Sequence, residues 1–263
     1  MNILPEKKPG ELPQGVVLEK PPFVPRMVMT NELQTVARDV MTQWRNRKAF
    51  APLLKYGIRP LHRLLFYGPP GNGKTMACYW IARELGIPVY RVLCNQIHNC
   101  YVGETEKAVA GVMDYFSARK EPALCLWDEI EAIFPDRAKQ DHHGSGRGIA
   151  SALTIFMQAL DRWQSPTLLV MATNLPDRLD AALLSRVELR IEFAGPNEDQ
   201  CEQCIQYWRE ILCDHGADEW GPLIVERVKE KLPISFRELQ QTIAFAAREW
   251  TARFRAGPRS EKS

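Results

Sequence analysis

The sequence feature that most constrains the fold is an apolar run that leads into a glycine-rich loop and then into a helical pattern. The run Leu64–Tyr67 is followed by Gly68-Pro69-Pro70-Gly71-Asn72-Gly73-Lys74-Thr75, which has the spacing G-x-x-x-x-G-K-T. Glycines let backbone N–H groups wrap around phosphates, and the start of the following helix favours negative charge. The segment therefore predicts a strand, a phosphate-binding loop and a helix. The alternative is a glycine-rich loop that only turns the chain.

The same loop indicates which residues bind ATP and Mg²⁺. Lys74 is predicted to reach the outer phosphates, and the hydroxyl of Thr75 is predicted to hold Mg²⁺. The nucleotide-binding residues expected here are Gly68, Pro69, Pro70, Gly71, Asn72, Gly73, Lys74, Thr75 and Met76.

A second source of metal ligands is an acidic pair at the end of another apolar run. Asp128 and Glu129 follow Ala123–Trp127. Asp128 is predicted to complete the Mg²⁺ site, and Glu129 to orient or deprotonate the attacking water. An acidic pair alone is more often a solvated strand end, but together with the loop it predicts an ATP hydrolase.

Composition and charge exclude several classes of protein. The 263 residues include 34 Lys and Arg and 32 Asp and Glu, a net charge of +2, which excludes nucleic-acid or membrane binding driven by bulk charge. No stretch approaches the roughly 18 apolar residues of a membrane span, and the first residues contain no apolar leader. We therefore expect a cytoplasmic protein. Seven dispersed cysteines predict reduced thiols rather than a disulfide scaffold.

Alternating apolar runs and helical periodicity predict an α/β fold with a five-stranded parallel sheet. The expected strands are Leu64–Tyr67, Val89–Leu93, Ala123–Trp127, Thr167–Ala172 and Leu189–Phe193. Six prolines within the first 25 residues predict a tail over residues 1–26, with neither helix nor central strand. Residues 27–194 are then the large domain, 195–256 a small helical lid and 257–263 a second tail.

From about Gly57 to Phe254 the chain resembles the AAA family of ATPases. Gly57-Ile58-Arg59-Pro60, leading into the glycine-rich loop, is similar to the family's approach to that loop. The resemblance implies that Asn174, at the end of Leu168–Asn174, is the sensor that positions the attacking water. Without the neighbouring motifs, an Asx turn after a strand would explain Asn174 equally well.

The resemblance also implies two arginines that act on ATP. Arg186, in Leu179–Glu188, occupies the position of an arginine finger, which stabilises the phosphoryl group bound by the adjacent subunit and implies a ring, of six subunits in this family. The position of a second finger is Leu189, with Arg190 one residue later. Arg237, in Ser235–Leu239, matches a second sensor against the γ-phosphate. The alternative for Arg237 is a surface arginine in an intrahelical pair.

A substrate-gripping loop is implied by Tyr101, Val102 and Gly103, which resemble the first pore loop of protein-translocating members. The alternative is that Tyr101 packs under its own helix. A second loop, residues 136–148, would also face the pore, although it is equally consistent with an ordinary surface loop. The segment Ser235–Ala246 is loosely similar to that of remodellers of HORMA-domain proteins, whose pore loop differs from this one.

Cys201, Cys204, Cys213 and His215 could be read as zinc ligands, but the spacing lacks a second Cys pair. Positions 201, 204, 208 and 212 instead share one helical face, which predicts packing in the lid.

These features predict a Mg²⁺-dependent ATPase that forms a homo-oligomeric ring and remodels, unfolds or disassembles a protein substrate. The substrate would be gripped directly or delivered by a separate adaptor. One alternative is a nucleic-acid-associated loader or initiator, although no helix-turn-helix or basic extension is evident. Another is a regulatory scaffold with slow hydrolysis.

Overall fold

A mostly parallel sheet forms the centre of the molecule. The computed structural model describes residues 11–20, 31–98, 104–134, 146–212, 224–226 and 228–255. Within them the strands are β1 (Val16–Glu19), β2 (Arg63–Tyr67), β3 (Val89–Leu93), β4 (Ala123–Asp128), β5 (Thr167–Thr173) and β6 (Leu189–Glu192). Their order across the sheet is β1-β3-β4-β5-β2-β6. β2 to β6 are parallel to one another, which confirms the five predicted strands to within a residue or two at their ends.

β1 corrects the prediction that residues 1–26 form only a tail. It pairs antiparallel with β3, with Val16 opposite Val92 and Glu19 opposite Val89, and so adds a sixth strand at the sheet edge. Pro13 and Pro21 lie outside the strand, so its four residues keep every backbone N–H needed for pairing. The proline pattern excluded a central strand but not this edge strand.

Helices cover both faces of the sheet. They are α1 (Asn31–Arg45), α2 (Lys74–Leu85), α3 (Cys94–His98), α4 (Glu104–Ala118), α5 (Gly146–Asp161), α6 (Ala181–Leu184), α7 (Glu198–Ile211) and α8 (Phe236–Arg255), and a ten-residue 3-10 helix, Arg47–Tyr56, joins α1 to β2. Along β2, Leu64 and Phe66 pack with α1 and α2, whereas Leu65 packs on the other face with α4 and α5. This alternation follows from the two-residue period of a strand.

The lid has its own small apolar core. Its buried residues are Cys201, Ile205, Ile224, Val228, Leu239, Ile243 and Ala246. Cys204, Trp208 and Leu212 pack against that core, which confirms the helical face predicted for α7, while Cys213 and His215 lie outside the described residues. No helix in the described part of the chain is both long and apolar enough to cross a membrane.

Candidate nucleotide site

The glycine-rich loop lies at the carboxyl end of β2 and leads directly into α2, as predicted. Two of its glycines are required by the backbone. Gly68 has φ +134°, and a side chain there would collide with the carbonyl oxygen of Phe193. Gly71 has φ +83°, and its Cα faces the start of α8, where an added Cβ would come within 3.0 Å of Cβ of Arg237. Larger residues would therefore displace either β6 or the lid from the loop.

Lys74 is held over this loop by the loop's own backbone. Its ammonium donates hydrogen bonds to the carbonyl oxygens of Gly68 at 2.6 Å and Pro69 at 2.9 Å. Burial lowers the pKa of Lys74, and the nearby carboxylates of Asp128 and Glu131 oppose that shift. The cation is thus placed at the concave side of the loop, where phosphate oxygens could replace the two carbonyls.

Thr75 and Asp128 come together beside the loop. The Thr75 hydroxyl lies 3.3 Å from Oδ2 of Asp128, which it can donate to. A hydroxyl and a carboxylate next to a phosphate-binding loop are the oxygen ligands that Mg²⁺ prefers, so these two residues fit a Mg²⁺ site.

Arg91 is a neighbour of this pair that the sequence analysis missed. From β3 it donates to Oδ2 of Asp128 at 2.7 Å, and its other terminal nitrogen lies 3.9 Å from Glu19 on β1. The available signal was an arginine within the otherwise apolar strand Val89–Leu93. Asp128 therefore already has a cationic partner in this structure.

Glu129 begins the segment after β4 in an unusual backbone conformation. Its φ is +56°, the only positive φ of a non-glycine residue in the described part of the chain. Its exposed carboxylate accepts a hydrogen bond of 3.0 Å from the side chain of Asn95 on α3. The left-handed conformation turns Glu129 away from the line of β4, and Asn95, which sequence reasoning also missed, fixes the direction of its side chain.

Asn174 follows β5 at the same edge of the sheet, because Thr173 is paired with Tyr67, the residue before Gly68. The backbone N–H of Asn174 donates to Oε1 of Glu131 at 3.2 Å. The other carboxylate oxygen of Glu131 is buried without a hydrogen-bond partner among the described residues. Glu131 therefore anchors the backbone at Asn174, a role that no local motif indicated.

The lid contacts the loop through its last helix. The backbone N–H of Arg237 donates to the carbonyl oxygen of Gly71 at 3.1 Å. Asn72, which is buried, joins two elements: its amide donates to the carbonyl of Phe193 at 3.2 Å, and its oxygen accepts from the N–H of Phe236 at 3.4 Å. Arg237 itself is exposed but close enough to contribute to the lowered pKa of Lys74.

The side-chain contacts of Arg186 lie outside the glycine-rich loop. Its guanidinium binds Asp161, the last residue of α5, and the carbonyl of Ala182. Arg190 donates to the carbonyl of Leu184 at 2.6 Å, a contact that also lies outside the loop. The separation is compatible with action on another subunit.

Both predicted pore loops fall largely outside the described residues. Tyr101, Val102 and Gly103 are not described, although the flanking helices α3 and α4 are. The second loop is described only from Gly146, where α5 begins.

Comparison with known proteins identifies relatives of this chain. Residues 64–194 match the family model described as "ATPase family associated with various cellular activities (AAA)". An uncharacterized AAA family ATPase of Sinorhizobium fredii is 33% identical over 142 residues, 54% of this chain and 42% of the relative. A proteasome-activating nucleotidase of Methanothermobacter thermautotrophicus is 31% identical over 238 residues, 88% of this chain and 54% of the relative. The chain thus spans about half the length of these curated relatives.

The fold is also that of a solved structure. The crystal structure of the FIGL-1 AAA domain superimposes with a TM-score of 0.66 at 20% identity, covering 94% of this chain and 78% of that one. The same domain in complex with ADP gives a TM-score of 0.64.

Proposed function

Because the chain belongs to the AAA family of ATPases, we propose that it binds ATP at the Gly68–Met76 loop and hydrolyses it with the aid of Mg²⁺. The observation that carries the proposal is the convergence of Lys74, Thr75, Asp128 and Glu129 at the carboxyl edge of the sheet. A phosphate-binding cation, two metal-binding oxygens and a carboxylate base are the parts that phosphoryl transfer to water requires.

Each residue has a separate task in this proposal. Lys74 exchanges its two carbonyl partners for phosphate oxygens, while the N–H groups of the loop and of the first turn of α2 bind the others. Thr75 and Asp128 would hold Mg²⁺, which would neutralise charge on the phosphates. Glu129 accepts a proton from the attacking water, and Asn174 orients that water. Arg237 lies at the lid side of the loop, where its planar fork could bind an outer phosphate.

A ring accounts best for Arg186. Its contacts are with Asp161, Met157 and Ala182, and none is with the nucleotide loop of its own chain. We propose that it completes the site of an adjacent copy in a homo-oligomeric ring, for which the family resemblance implies six subunits. Turnover should then depend on protein concentration, because an isolated subunit lacks one catalytic charge.

The proposed task of the ring is to remodel a protein substrate, gripped by Tyr101 and Val102 and threaded past Gly103. Support comes from the family and from the position of this segment between α3 and α4, the first of which carries Asn95, the partner of Glu129. A change in the nucleotide site could therefore reach the pore loop through a single short helix.

The first experiment measures phosphate release by the purified chain with and without Mg²⁺. Lys74→Ala and Glu129→Gln should each abolish turnover, and Glu129→Gln should still bind ATP. Full turnover by Lys74→Ala would contradict the ATPase proposal. Stimulation of turnover by DNA but not by polypeptides would instead favour the loader or initiator.

A second experiment tests remodelling alone. Tyr101→Ala should leave ATP binding intact and abolish unfolding of candidate polypeptides. Tyr101→Phe keeps the aromatic side chain and should retain the unfolding activity. Capture of a bound protein by Glu129→Gln in ATP, identified by mass spectrometry, would give the substrate or adaptor. Unfolding at the normal rate by Tyr101→Ala contradicts the pore-loop assignment but leaves the ATPase proposal standing.

A further inference from the structure

A cavity of about 570 Å³ lies at the end of the sheet opposite the nucleotide loop. It is formed by the end of α1, the 3-10 helix Arg47–Tyr56, and the segments that precede β2 and β5. Its volume is within the range of about 300–1,000 Å³ that is typical of binding pockets. None of the residues assigned to ATP hydrolysis lines it.

The cavity is strongly basic. Arg47, Lys48, Lys55 and Arg59 line it, and no Asp or Glu does. In the sequence, residues 45–59 contain five Lys and Arg and no Asp or Glu, although the whole chain has a net charge of only +2. Arg47, Lys48, Lys55 and Arg59 form no ion pair with any carboxylate in the described part of the chain. An anionic partner is therefore the electrostatic complement of this face.

Two of these cations are fixed in place before any ligand binds. Arg47 donates to the carbonyl of Trp44 at 3.0 Å and lies over the Trp44 ring. Arg59 donates to the carbonyl of Trp163 at 2.6 Å. Fixed guanidinium groups lose less conformational entropy when they bind a carboxylate, which increases affinity.

An exposed apolar surface adjoins the basic cavity. The 3-10 helix buries none of its ten residues. On it and just after it, Leu53, Leu54, Tyr56 and Ile58 are 39%, 48%, 70% and 50% exposed. Leu54 also lines the cavity, so the apolar and basic surfaces are continuous. Apolar side chains grouped in this way beside a cavity are typical of a surface that binds protein.

We propose that this cavity and the adjoining 3-10 helix dock an acidic peptide segment of a partner protein, with its carboxylates on Arg47, Lys48, Lys55 and Arg59 and its aliphatic side chains against Leu54. The apolar surface favours a peptide over single-stranded nucleic acid, which binds by stacking bases on exposed aromatic rings. Both tryptophans of the cavity are almost fully buried, and the one strongly exposed ring of the adjoining apolar surface, Tyr56, has Nζ of Lys55 4.9 Å from its centroid, so this surface offers no run of free rings for stacking. The site lies away from the nucleotide loop and does not depend on the proposed ATPase function.

The test uses the full chain and a fluorescein-labelled peptide, Glu-Leu-Glu-Glu-Leu-Glu, with binding followed by fluorescence anisotropy. The wild-type protein should bind this peptide, and raising NaCl from about 50 mM to about 300 mM should weaken binding through screening. The double variant Lys48→Glu/Lys55→Glu should lower affinity by about tenfold or more. Its matched control, Lys120→Glu/Lys231→Glu, makes the same charge change at exposed lysines outside the cavity and should change affinity less than about twofold.

A second pair of measurements tests the apolar part of the site. Leu54→Ser should weaken binding of the leucine-containing peptide but leave binding of an all-glutamate peptide unchanged. Thermal melting of every variant checks that it is folded. The proposal is overturned if the wild-type protein binds neither peptide, if Lys48→Glu/Lys55→Glu binds as well as its control, or if a short oligothymidine displaces the peptide at lower concentration than unlabelled peptide does.

Discussion

Arg186 and Asp161 form a two-point ion pair in which Nε and Nη2 of the arginine bind the two carboxylate oxygens at 2.9 and 3.0 Å. The remaining nitrogen, Nη1, donates to the carbonyl of Ala182 at 2.9 Å. An arginine that is to act on the phosphates of another subunit must exchange Asp161 for them. Asp161 therefore opposes the proposed catalytic role of Arg186 in the separate subunit.

We expect Asp161→Ala to increase ATP turnover and Arg186→Ala to reduce it. A partly exposed ion pair contributes up to about 1 kcal/mol, so loss of Asp161 should raise turnover by up to about fivefold. Loss of an arginine finger reduces turnover by roughly 1,000-fold. Turnover is measured as a function of protein concentration. The double variant Asp161→Ala/Arg186→Ala should behave like Arg186→Ala. Arg190→Ala is the matched control for the loss of an arginine. A fall in turnover for Asp161→Ala would show that the carboxylate positions the arginine instead.

Arg91 and Mg²⁺ should compete for Asp128. Because Arg91 lies 2.7 Å from the carboxylate, Arg91→Gln should leave Asp128 more available and lower the Mg²⁺ concentration needed for half-maximal turnover by a few-fold, about 1 kcal/mol. Glu19→Gln should instead raise the Mg²⁺ concentration needed for half-maximal turnover, since Glu19 lies 3.9 Å from Arg91 and draws it away from Asp128. The two variants are compared by titrating turnover with Mg²⁺. A higher Mg²⁺ requirement for Arg91→Gln contradicts the prediction.

The sequence predicted those parts of the site that local motifs encode. Lys74, Thr75 and Glu129 each follow a buried strand at a fixed spacing, Asp128 is the last residue of one, and parallel strands bring their carboxyl ends to one edge. Residues that act through contacts between positions far apart in the sequence could not be predicted in this way. Arg91 lies 37 residues from Asp128, Asn95 lies 34 from Glu129, and Glu131 lies 43 from Asn174.

Strand β1 was missed for a similar reason. Its four residues stand between prolines in a segment without helical or alternating periodicity, and its stability comes from pairing with β3, about 70 residues later in the chain. Composition correctly excluded a central strand at this place. The segment becomes a strand because β3 lies next to an open edge of the sheet, where β1 can pair with it.

Asn72 should contribute substantially to the stability of the lid contact. Asn72→Ala would leave the carbonyl of Phe193 and the N–H of Phe236 without their side-chain partner, and an unsatisfied buried group costs about 1–3 kcal/mol. Asn46→Ala is the matched control, because exposed Asn46 makes no side-chain cap hydrogen bond and its loss should change stability by less than about 0.5 kcal/mol. Urea unfolding measures both. Equal stability of the two variants would mean that Asn72 does not hold the lid.

His62 should make folding stability depend on pH just below neutrality. Burial lowers its pKa below the usual value, despite the opposing charge of Glu188 at 3.3 Å. As the pH falls through about 6.5, the unfolded chain therefore binds a proton at this position while the folded chain does not. The free energy of unfolding should decrease from that pH down to the folded pKa. His62→Gln cannot titrate and should lose less stability over the same range, as measured by urea unfolding at a series of pH values. An identical pH profile for the variant and the wild type would exclude His62 as the source, because all other titrating groups are shared by the two proteins.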